Sequence, residues 1–132
     1  MNALDTNVVI RFLVADDTIQ AQKVYDLFKR AEANKEHFRV PLTVVLEMIW
    51  VLESAYDIPR KEIIGALHEL LLMPILKFES FSALKNFVVT ARESAFDLSD
   101  ILIAHSAESH GCDVVLTFDK KASDFKLFRL IE

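Results

Sequence analysis

The sequence predicts an α/β fold built on a parallel sheet with helices covering both faces. Two observations lead there. Short strand candidates at His37–Val40, Ile75–Phe78 and Val114–Phe118 alternate with helical segments. Those strands read as apolar runs rather than as the apolar–polar alternation of a half-solvated antiparallel sheet. A third follows from the fold class: in open parallel sheets, ligands lie outside the carboxyl ends of the strands. Several of the chain's carboxylates fall at such ends.

The elements follow in order. Asn2–Leu4 is a short strand ending at Asp5, and a brief helix runs through Val8, Val9, Phe12 and Leu13. Asp16 or Asp17 caps the next helix, where Ala21, Val24, Leu27, Phe28 and Ala31 recur at helical spacing. His37–Val40 is a strand closed by Pro41, after which Thr43 caps a helix running to about Tyr56. Pro59 opens a helix through Ile63, Ile64, Leu67, Leu70 and Leu71. Ile75–Phe78 is a strand, and Ser82 or a neighbour starts a helix bearing Leu84, Phe87 and Val88. Ser99 caps a helix that stops at Gly111. Val114–Phe118 and Leu127–Ile131 are the last strands.

With 132 residues, 52% of them hydrophobic, the chain can bury a core without disulfides or a structural metal. It is expected to form a single domain over 1–132, because no repeat, linker or low-complexity tract interrupts it. The lone Cys112 forms no internal disulfide and is expected to enter the core, and a reducing, cytoplasmic compartment fits it. No apolar run nears the roughly 20 residues of a membrane span, and MNALDTNVVIRFL lacks the basic start of a signal peptide. The net charge of −5 argues against broad, non-specific nucleic-acid binding. It leaves a nuclease open, since metal-binding acids add negative charge that bound cations offset. Glycine-rich phosphate cradles are absent.

The acids carry the functional signal. Asp5 ends the first strand, Glu47 lies on the helix after the second, Asp119 follows Val114–Phe118, and Asp100 opens the preceding helix with Asp97 just before it. Taken singly, each has an ordinary role as a cap, dipole partner or turn residue. Glu47 is flanked by Val44, Leu46, Met48, Trp50 and Val51, surroundings in which a carboxylate is expected to be costly unless paired or bound to a cation. Gathered at one edge, such acids repel one another unless neutralised. No lysine or arginine lies within three residues of Glu47 or Asp100. Oxygen-only donors suit a hard cation such as Mg²⁺ or Mn²⁺, which acts on phosphate esters by activating water and offsetting developing charge. Thr6, Asn7, Ser99 and Thr117 could orient ligands or water around the acids. Arg11, Lys120 and Lys121 flank them in sequence and read equally as phosphate contacts or as a solvated surface.

ALDTN at 3–7, Glu47, FDLSDILIA at 96–104 and VVLTFD at 114–119 resemble the signature blocks of PIN-domain ribonucleases, closest to VapC-type toxins of toxin–antitoxin pairs. The resemblance implies a three-layer α/β/α sandwich with a mainly parallel central sheet. It also implies Mg²⁺- or Mn²⁺-dependent endoribonuclease activity through a metal-activated water. Asp5, Glu47, Asp100 and Asp119 are then catalytic and metal-binding, with Asp97 a further acid. It further implies inhibition by a cognate antitoxin and, commonly, a homodimer, for which Leu46 and Trp50 offer apolar surface. Other classes fit the residues less well. A phospho-signalling receiver needs paired acids after the first strand, but Asp5 stands alone, and a haloacid-dehalogenase-type phosphatase needs a second Asp where Asn7 stands. A catalytically silent PIN-like binding module would not need its acids intact. The histidines His37, His68, His105 and His110 lack metal-ligand spacing and read as structural or surface residues.

Overall fold

The computed structural model describes every residue, Met1–Glu132. Helices alternate with short parallel strands, as expected for an α/β chain. The chain divides into two compact units, Met1–Glu79 and Ser80–Glu132.

The first unit holds β1 (Asn2–Ala3), α1 (Thr6–Leu13), α2 (Thr18–Asn34), β2 (Phe38–Val40), α3 (Leu42–Ser54), α4 (Arg60–Leu71) and β3 (Leu76–Phe78). Its strands form a parallel sheet in the order β1-β2-β3, with Asn2 opposite Phe38 and Phe38 opposite Leu76. The Leu4 N–H donates to the Arg39 carbonyl and the Glu79 N–H to the Val40 carbonyl, both at 3.0 Å, which carries the pairing to the strand ends. Phe38, Val40, Leu76 and Phe78 are buried while Arg39 and Lys77 between them are exposed. These strands therefore alternate, where continuous apolar runs were expected. Val9, Ile10, Met48, Ile49, Leu52, Ile63 and Leu67 fill the core from the helices, and Phe12, Phe28 and Phe38 join it by ring contacts of 4.9 and 5.8 Å.

The caps are largely those expected, with informative exceptions. Asp17 accepts the Gln20 N–H at 3.0 Å and starts α2. Pro59 precedes α4, its carbonyl accepting the Ile63 N–H. Thr43, in contrast, does not cap α3: Pro41 holds that position without a side-chain bond. The Glu79 carboxylate, arriving from the end of β3, accepts the Leu42 N–H at 3.4 Å instead. Proline supplies the extended entry geometry, and a long-range acid takes an orphan amide that local sequence leaves open.

The second unit holds α5 (Phe81–Glu93), α6 (Leu98–Ser109), β4 (Val115–Thr117), a 3₁₀ turn (Ala122–Asp124) and β5 (Phe128–Leu130). β4 and β5 pair in parallel, Val115 opposite Phe128. Leu84, Phe87, Leu98 and Ile101 are fully buried where α5 packs on α6. Thr90 on α5 bonds His105 Nε2 at 2.7 Å, and Glu108 meets His105 Nδ1 at 3.1 Å, so this 7% exposed histidine is structural, as expected. Phe96 stacks on Phe125 at 5.0 Å, and Phe125 meets Phe128 at 6.1 Å.

Two expectations fail here. Ser99 is not the cap of α6; Asp97 is, accepting the Asp100 N–H at 3.3 Å. Cys112 is exposed rather than in the core, because it follows the left-handed Gly111 (φ +86°) beyond the helix end.

Candidate active site

In the first unit, Asp5 follows β1 and caps α1, accepting the Thr6 N–H at 2.8 Å. Thr6 is buried while Asp5 and Asn7 are exposed. β1 and β2 are parallel neighbours, so Asp5 and the start of α3 lie at the same, carboxyl edge of this sheet. α1 packs against α3, which carries Glu47 in its second turn. Glu47 is exposed, and so are Leu46 and Trp50. The expected cost of a carboxylate in apolar surroundings therefore does not arise. The inward side of α3 is Val44, Val45, Met48, Ile49 and Leu52, and Glu47 sits on the other side. Arg11 is committed elsewhere: its guanidinium bonds Asp16 at 3.3 Å, Tyr56 at 3.2 Å and Gln20 at 2.8 Å. It is a strut of the first unit rather than a free phosphate contact. Tyr56 completes it by donating to Asp16 at 2.9 Å.

The second unit brings three of the acids together. Asp97 caps α6, Asp100 lies in its first turn and Asp119 follows β4, which packs on α6. The Asp100 carboxyl is held above the usual range, first by burial and then by the negative charges of Asp97 and Asp119. These three acids share one electrostatic environment. Asp119 is fixed by its own turn: its Oδ1 accepts the Lys121 N–H at 2.9 Å and the Ala122 N–H at 3.2 Å. Its own backbone N–H donates to Thr117 Oγ1 at 3.0 Å. Both carboxylate bonds fall on Oδ1, which leaves Oδ2 for a ligand. Ser99 is half-buried, and Lys120 and Lys121 are exposed.

The PIN domain family matches residues 3–127, nearly the whole chain. The chain belongs to the PIN-domain family. No curated protein and no solved structure matched it. PIN domains are typically nucleases, hydrolases that act on nucleic acid and generally use divalent metal ions. The match sets aside the receiver-like alternative. No helix of this PIN domain is long and apolar enough to cross a membrane.

The donors can be tested against a divalent ion. As the side chains stand, no three Asp, Glu, His or Cys residues form a group able to hold one. Mg²⁺, however, rests commonly on one or two carboxylates and completes its shell with water and phosphate oxygens. Asp100 with Asp97 or Asp119 meets that requirement in donor type.

Sequence reading missed the acid at Glu79 and the Arg11–Asp16–Tyr56 group. Neither had a local signal: Glu79 lies 37 residues from Leu42 and Tyr56 lies 45 from Arg11.

Proposed function

We propose that this PIN domain is a divalent-metal-dependent endoribonuclease and the toxin of a type II toxin–antitoxin pair, working in the cytoplasm. The observation that carries the nuclease reading is the shared field of Asp97, Asp100 and Asp119 within a family match spanning 3–127. The proposed acidic set is Asp5 and Glu47 on the first unit and Asp100 and Asp119 on the second, with Asp97 supporting Asp100. Mg²⁺ or Mn²⁺ held by acids of this set would activate water and offset charge on the scissile phosphate. The protein's own groups do the rest. Asp97 caps the start of α6 through the Asp100 N–H; the backbone N–H groups at 121 and 122 hold the Asp119 carboxylate, and Thr117 takes its backbone N–H.

The toxin assignment rests on the resemblance of the ALDTN, FDLSDILIA and LTFD blocks to VapC-type proteins. A cognate antitoxin is proposed to insert a basic side chain, arginine by preference, among the acids and compete with the metal. Its remaining contacts would lie along α2 and α3. A hollow of about 310 Å³ lined by Phe12, Tyr25, Phe28, Met73 and Ile75 adjoins α2 and supports that placement. A homodimer is proposed with Leu46 and Trp50, the latter 61% exposed, near its interface.

Incubation of the purified protein with single-stranded RNA and Mg²⁺ or Mn²⁺ tests the reading. Cleavage leaving 5′-phosphate and 3′-hydroxyl ends, abolished by EDTA and by Asp100→Asn, is expected. Products ending in 2′,3′-cyclic phosphate, or full activity in EDTA, would refute it.

A further inference from the structure

Phe118 is 79% exposed, as exposed as any large apolar side chain in the molecule. Two other phenylalanines of the same unit, Phe96 and Phe128, each have a ring contact with Phe125. Phe118 directly precedes Asp119, whose charge acts on Asp100. The residues on either side of it are pinned. Thr117 belongs to β4 and accepts the Asp119 N–H, while Asp119 accepts the amides of Lys121 and Ala122. The Ser123 hydroxyl donates to the Lys120 carbonyl at 2.6 Å, and the Ser123 N–H to the Asp119 carbonyl. The turn is therefore a rigid mount, and it holds an aromatic ring in solvent where the ring contributes nothing to the core. Lys120 and Lys121, both exposed, stand beside it.

We infer that Phe118 is a stacking platform for an unpaired base of single-stranded RNA and positions the chain for cleavage at the neighbouring acids. This rests on the ribonuclease reading above and names how its substrate is held. The chemistry fits. Every base has a π face, so one exposed ring binds single strands with little sequence preference, while lysines nearby meet the phosphates. In a duplex the bases are stacked already and the ring finds no free face. A net charge of −5 leaves general electrostatic attraction weak, so a specific stacking contact gains importance.

The test is binding of a short fluorescent single-stranded RNA of mixed sequence in EDTA, where no cleavage occurs, by wild type, Phe118→Ala and Phe118→Trp. Loss of one stacked base is worth about 1–3 kcal/mol, so Phe118→Ala should weaken binding about 5- to 150-fold. Phe118→Trp should retain it, and binding to the same sequence as a duplex should not change. Because the side chain is exposed, all three proteins should melt alike. Under cleavage conditions Phe118→Ala should raise KM more than it lowers kcat. Equal single-strand binding by wild type and Phe118→Ala, or no RNA binding by either, overturns the inference. So does a Phe118→Ala protein that keeps full RNA affinity but loses self-association by light scattering, which would make the ring a protein contact. Phe118-dependent binding without any cleavage in Mn²⁺ would uphold the stacking contact but overturn its role in positioning for cleavage, together with the nuclease reading. Cleavage indifferent to Phe118 would do the reverse.

Discussion

At the scale of single residues, Asp100 is the most informative side chain. Its carboxyl is raised by burial and by Asp97 and Asp119, so the folded protein holds that proton more tightly than the unfolded chain does. The resulting stabilisation is full below the ordinary carboxyl range and is lost as pH rises through the raised value of Asp100. At neutral pH without cations, the ionised group therefore opposes folding. Asp100→Asn should raise the melting temperature in EDTA at pH 7, and the gain should vanish on acidification through the raised carboxyl's range. A variant less stable than wild type at pH 7 would show that the carboxylate has a structural role. Activity should move the opposite way. Loss of Asp100 should cost more than the roughly 10–100-fold typical of residues that only support a metal site. His105 gives a contrasting residue. It is buried and bonded by Thr90, so Thr90→Val should destabilise the fold by about 1–3 kcal/mol in urea unfolding while leaving kcat unchanged.

At the scale of elements, helix ends tell how much local sequence can specify. Asp17, Pro59 and Gly111 were legible because capping acids, helix-opening prolines and left-handed glycines act through neighbours in sequence. Thr43 and Ser99 misled because their neighbours Pro41 and Asp97 already hold the cap positions. Glu79 was invisible, since it reaches α3 only through the sheet. The glycines offer a paired test. A Cβ at either Gly65 or Gly111 would meet nothing within 4 Å, so only backbone preference distinguishes them. Gly65→Ala, inside α4, should stabilise by about 0.5–1 kcal/mol. Gly111→Ala should destabilise by about 1 kcal/mol, because its φ of +86° is strained for any other residue. Equal effects of the two changes on the urea midpoint would show that conformation at Gly111 is adjustable.

At the scale of the whole molecule, the α/β class and the acidic blocks were legible because strand–helix alternation and acids at strand ends are both written along the chain. The environment of the acids was not. Glu47 looked buried among Val44, Trp50 and Val51, but helix rotation turns it to solvent with Leu46 and Trp50. Asp100, read from sequence as one of several acids at the strand ends, is the one with a shifted carboxyl. The acids divide between the units, Asp5 and Glu47 on one and Asp97, Asp100 and Asp119 on the other. If the proposed set acts as one, cation binding should report it. A ligand that binds only the folded state stabilises it by about 2.7 kcal/mol at a hundred times its Kd. Mn²⁺ should therefore raise the melting temperature of wild type clearly, and that of Asp100→Asn much less, although the variant starts higher. Asp5→Asn is expected to shrink the shift as well, and the double variant measures whether the two losses add. Melting curves for the four proteins across a Mn²⁺ series measure this. Full and equal shifts in Asp5→Asn and wild type would confine the cation to the acids of the second unit and remove Asp5 from the proposed set.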